Sequence, residues 1–153
     1  MRPIGQTLVF LTMALGCTQV CADDFSGSWS IDLRSAAERR SKAECGTAEF
    51  ELVQSKERIE GSHSFATVGC GRVNEGGKGT VKGVVVGKTA VLVVTSGRNG
   101  AVVLGMATLS SGMLHWKTVD EIHPGQPEGD SPLILGEGNL VKTKRAHRVN
   151  TNK

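Results

Sequence analysis

Tyrosine is missing from this 153-residue chain, and its only aromatic residues are two Trp and four Phe. Any binding surface is therefore short of the large aromatic anchors that dominate most interfaces. The same scarcity argues against an outer-membrane barrel, which needs aromatic girdles at both membrane faces and ten-residue segments alternating apolar-out. Charge of one sign is not in surplus either: 18 Lys and Arg stand against 15 Asp and Glu, for a formal net charge of +3. A balance that close to neutral gives no basis for nucleic-acid binding.

Catalytic and metal-binding patterns are also absent. No Gly-x-Ser-x-Gly elbow occurs, and His63, His115, His123 and His147 form neither a His-Glu-x-x-His pattern nor a close pair. The glycine-rich run Gly69–Gly79 lacks the Gly-Lys-Ser/Thr ending of a phosphate cradle. Neither an enzyme nor a metal or cofactor site is expected.

What is present begins with a leader. Arg2, an apolar centre from Leu8 to Leu15 and the small-x-small end Val20-Cys21-Ala22 predict a signal peptide over residues 1–22, with Asp23 as the mature start. The apolar centre is too short for a transmembrane span, which needs roughly 20 residues. An alternative makes Cys17 a lipidated N-terminus after Ala14-Leu15-Gly16. Either way the protein is expected in the periplasm or secreted. Cleavage after Ala22 leaves Cys45 and Cys70, and in an oxidising compartment two cysteines most simply form one disulfide. They flank a hairpin pattern, residues 48–54 and 58–67 around a turn near Ser55-Lys56-Glu57.

Gly79 to Val119 carries the strongest structural signal. Gly87-Lys88, Ser96–Gly100 and Ser110–Gly112 cut it into four β-branched runs of strand length. Turns that short leave no room for parallel crossovers, so the four runs form an antiparallel meander. A first strand is expected over Asp23–Arg34, where Trp29, Ile31 and Leu33 alternate with polar residues, and a short surface helix over Ser35–Glu44. The hairpin supplies two strands, with Phe50, Leu52, Ile59, His63 and Phe65 facing inward. Gly69–Gly79 reads as a connection, and His123–Pro132 as a proline-rich surface loop. A last strand is expected over Leu133–Lys144 and a basic tail over residues 146–153. The expected fold is all-β: an eight-stranded antiparallel up-and-down barrel over residues 23–145 with one disulfide, because eight strands close into a barrel and closure removes both edges.

The string Gly27-Ser28-Trp29-Ser30-Ile31-Asp32-Leu33-Arg34-Ser35, with Lys142, Lys144 and Arg145 in the last strand, resembles the calycin superfamily of lipocalins, fatty-acid-binding proteins and avidins. The resemblance implies that Trp29 plugs one barrel end beneath a basic side chain, and it makes Ser35 a candidate ligand contact through the avidin opening. Ile31 stands where avidins carry a biotin-contacting Asn, and with no Tyr for the ureido oxygen the residues argue against biotin.

Ser35, His63, Phe65 and Trp116 are the candidate ligand-binding residues. For His63 the competing reading is a buried imidazole satisfied by neighbours, and for Trp116 a ring that fills a small barrel. Two functions are expected: binding of a small apolar ligand in the lumen, or binding of a protein such as a periplasmic hydrolase through the loop His123–Pro132. An open cavity favours the first, and a filled barrel with a rigid projecting loop the second. Val84–Val86 and Ala90–Val94 are apolar at both parities, which predicts a homodimer through Val84–Val94.

Overall fold

The computed structural model describes residues 24–129 and 135–144. The expected leader 1–22 with Cys17, the expected tail 146–153 and part of the proline-rich loop lie outside the described residues. Eight strands and one helix follow in order: β1 (Gly27–Asp32), α1 (Ala36–Arg40), β2 (Cys45–Ser55), β3 (Arg58–Val68), β4 (Val73–Val86), β5 (Thr89–Thr95), β6 (Val102–Ser110), β7 (Met113–His123) and β8 (Glu137–Thr143). Each strand pairs antiparallel with its sequence neighbours, and β8 closes on β1 with Trp29 opposite Lys142. The result is a closed up-and-down barrel. Among the described residues no helix is long and apolar enough to cross a membrane.

Strand periodicity decides what faces inward. Ala48, Phe50 and Leu52 of β2, Ala90, Leu92 and Val94 of β5, and Leu114 and Trp116 of β7 are all buried at alternate positions, and all but Ala48 join one core cluster. At one end the strands are joined by two-residue turns, as at Ser111-Gly112, where φ values of 52° and 75° suit the twist of a hairpin. The long connections 33–44, 69–72 and 96–101 and the described part of the connection after β7, residues 124–129, gather at the opposite end. Here the disulfide joins Cys45 at the start of β2 to Cys70 just after β3, with Cα atoms 5.3 Å apart.

α1 is a surface helix with no buried residue. Ser35 caps it: its hydroxyl accepts from Glu38 N at 3.2 Å, and Glu38 accepts in return from Ser35 N at 2.6 Å.

Three expectations need correction. β1 starts at Gly27 rather than Asp23, because Phe25 turns under the barrel; its amide donates to Gln54 Oε1 and its carbonyl accepts from Trp29 Nε1. The described part of the last strand starts at Glu137 rather than Leu133. Gly69–Gly79 is a connection only as far as Arg72: Gly69 and Gly71 lie in the turn, whereas Gly76, Gly77 and Gly79 belong to β4. They are needed because the β3–β4 register passes from Gly61↔Val81 to His63↔Gly76, so residues 77–80 bulge out opposite Ser62 alone. Gly76 also makes room for a neighbour, since a Cβ there would lie 2.3 Å from His63 Cε1.

Candidate functional site

The barrel interior is the first place to look for a site, and side chains occupy it. Trp116, Phe50, Leu92, Leu114 and Leu140 are each at most 1% exposed, and the Phe50 and Trp116 rings tilt together with centroids 5.0 Å apart. Inward-facing glycines accommodate the largest of them. A Cβ on Gly105 would lie 2.1 Å from Trp116 Cη2, and one on Gly83 would lie 2.6 Å from Leu92 Cδ2, so core side chains pack against bare backbone. Trp116 Nε1 donates to Leu135 O at 2.8 Å. Its ring is core, with its one polar atom satisfied.

Towards the loop-bearing end the filling turns polar. His63 pairs with Phe50 across β2–β3, which sends its imidazole inward, where it is 3% exposed. Its Nδ1 lies 3.2 Å from Thr80 Oγ1 in the bulge, and its Nε2 lies 3.3 Å from Asn74 Oδ1. Thr80 Oγ1 donates to Gly77 O at 2.8 Å, Asn74 Nδ2 donates to Ser96 Oγ at 2.8 Å, and Ser96 Oγ accepts from the amides of Arg98 and Asn99. A continuous polar chain thus runs from the outer bulge, through the barrel, to the 96–101 loop. Burial pushes the His63 imidazole below its ordinary pKa of 6.5, and the Asn74 contact offsets this in part.

The arrangement of protons follows. With Thr80 donating to Gly77 O and Asn74 donating to Ser96, both imidazole nitrogens face acceptors, as an imidazolium requires. The neutral ring that burial favours is satisfied by the other Asn74 amide orientation, in which Nδ2 faces His63 and Ser96 donates to Oδ1.

At the rim Asn99 latches two connections. Its Nδ2 donates to Pro127 O at 3.1 Å, its Oδ1 accepts from Ala101 N at 3.1 Å, and its carbonyl accepts from Gln126 N at 2.8 Å. Gly125 lies beneath this latch, and a Cβ there would stand 2.7 Å from Asn99 O. The described part of the proline-rich loop is therefore held against the neighbouring hairpin loop.

Two open grooves of about 1050 and 560 Å³ lie on the outer wall along β1–β4. Both are bordered by Ser28, Glu51, Ser62 and Thr143; the smaller is lined mainly by polar surface, and the larger, which also takes in Leu52 and Val53, mainly by apolar surface. Among the described residues no group of His, Cys, Asp and Glu is arranged to hold a metal ion.

The four candidate ligand residues do not converge. His63 and Trp116 face the interior as packing and network members, Phe65 is half-buried opposite Asn74, and Ser35 is exposed and engaged in capping α1. Thr80, Asn74, Ser96 and Asn99 were not singled out from sequence. Asn74 was masked by the glycines around it, although its alternation with Gly76 is the signal of an inward strand position. Comparison of the chain with family models, curated proteins and solved structures yields no match.

Proposed function

We propose that the protein is an exported protein-binding module that makes contact through the barrel end formed by residues 96–101 and 124–127. The observation that carries this reading is the interior: aromatic and aliphatic side chains pack it down to the backbone at Gly105 and Gly83, which favours a scaffold over a container. Long connections gather at one end, where the disulfide and the Asn99 latch brace them. A loop held in one shape loses less entropy on binding than a free one. Arg98 and Glu128 are exposed on the two connections and supply opposite charges for recognition.

The leader and the disulfide support an exported location. Trp29 beneath Lys142, in a closed eight-stranded barrel, supports a calycin-like relationship. Hydrolases of the same compartment are the first partners to test, because a loop braced in one shape at the barrel end is suited to a substrate cleft.

The test is calorimetric titration of purified periplasmic cell-wall hydrolases with the wild type, Arg98→Glu and Asn99→Ala. Micromolar or tighter binding that weakens at least tenfold in both variants supports the reading. Binding unchanged in both, or native mass spectrometry that finds an apolar small molecule held stoichiometrically in the barrel, overturns it.

A further inference from the structure

On the wall across β4, β5 and β6 the outward positions form two rows fixed by strand register. One row is Val84↔Val91↔Met106↔Lys117, and the other is Lys82↔Val93↔Leu104↔Asp120. Of the two parities that the sequence left open in β5, Val91 and Val93 are the outward set, while Leu92 and Val94 are fully buried. Val84 is 48% and Met106 43% exposed; Val91, Val93 and Leu104 are half-buried beside them. The patch is contiguous, apolar at its centre and charged at its rim, the pattern of an interface.

The second row is complementary to itself. Its cation, Lys82, and its anion, Asp120, stand at opposite ends, and among the described residues neither forms an ion pair within the chain. We infer that this face pairs with a second copy of the chain about a two-fold axis that runs along the strands between β5 and β6. That operation reverses each row across the interface. It sets Val93 against the other copy's Leu104, Val91 against its Met106, and Lys82 against its Asp120 twice by symmetry. In the first row the methylene stem of Lys117 covers the exposed Val84 of the other copy. The barrel wall curves away towards β4 and β7, so these strands form the rim, where long charged side chains still reach. The charge pairs fix the register of the apolar centre more than they add to its affinity.

An axis along the strands keeps the loop-bearing ends of both barrels towards the same side, since strands tilt by only about 35–45° from a barrel's axis. The dimer then presents two copies of that end together. The inference stands without the proposed function, because it concerns the opposite use of the molecule's surface.

The experiment uses protein expressed from its full coding sequence, measured by light scattering and sedimentation velocity at tens of micromolar. The wild type is expected to be a dimer. Leu104→Glu should weaken dimerisation more than tenfold with an unchanged circular dichroism spectrum. Lys82→Asp and Asp120→Lys should each weaken it, and the double variant should recover at least tenfold over either single variant. A monomeric wild type overturns the inference and leaves the face to a different partner. A dimer insensitive to Leu104→Glu, or a double variant with no recovery, overturns it as well.

Discussion

The ammonium of Lys142 lies 5.1 Å from the centroid of the Trp29 ring, where the last strand closes on the first. The indole is 3% exposed and donates through Nε1 to Phe25 O at 2.8 Å, so its polar edge is satisfied while its face meets the cation. Gly27 permits the crossing, because a Cβ there would stand 2.5 Å from Lys142 Cε. Barrel closure and end-plugging are thus one set of contacts.

Trp29→Ala should cost about 3–5 kcal/mol through the cavity it leaves. Lys142→Met should cost only about 0.5–1 kcal/mol, since the cation is exposed and the methylene stem is kept. Urea denaturation of both variants checks the pair. A Trp29→Ala loss under about 1 kcal/mol would mean that the ring is not holding the end of the barrel.

The Cys45–Cys70 bond spans a sequence separation of 25 and ties β2 to the turn after β3 at the loop-bearing end. In the loop-entropy account such a closure stabilises the fold by about 3–4 kcal/mol. Non-reducing mass spectrometry should find the linked peptides, and the reduced protein should unfold at lower denaturant by that amount. Two free thiols in exported material would contradict the bond.

The barrel and its strand count are legible in sequence because β-branched alternation and short glycine turns are local signals. The disulfide is legible because the hairpin between its cysteines fixes their separation. The region from Gly69 to Gly79 is not, since glycine has the same appearance whether it turns a chain or clears space for a neighbour; only the β3 partner makes Gly76 a clearance for His63. The Thr80–His63–Asn74–Ser96 chain is illegible for the same reason. Its members come from two strands, β3 and β4, and a loop, brought together by register.

The depressed pKa of His63 links it to stability. In the unfolded chain the imidazole titrates near 6.5, and in the fold it titrates lower, so the unfolded state binds more protons between those two values. Stability is full above about pH 6.5 and declines as pH falls through that window. Asp32, held at about 2 by the Arg34 guanidinium, and Glu38, lowered by its bonds to Ser35, stay ionised there. Denaturation midpoints should therefore fall between about pH 7.5 and about pH 5 in the wild type, and the slope should flatten in His63→Gln. Equal slopes in the two proteins would assign the effect to other groups.

Asn99→Ala removes both side-chain bonds of the latch and leaves the backbone bond from Gln126 N to Asn99 O in place. Those bonds lie at the barrel rim, and of the residues they join only Ala101 belongs to the core cluster, so global stability should fall by only about 1 kcal/mol. The local effect should be larger. Ala101 N loses its acceptor and the 124–127 segment loses its anchor at Pro127, so the amides of Ala101 and Gln126 should exchange with solvent at least tenfold faster, while those of Leu92 and Leu114 keep their rates. Hydrogen exchange read by NMR separates the two. Uniform acceleration in strands and loops alike would mean that Asn99 supports the barrel as a whole, and unchanged rates at Gln126 would mean that the backbone bond alone holds the loop.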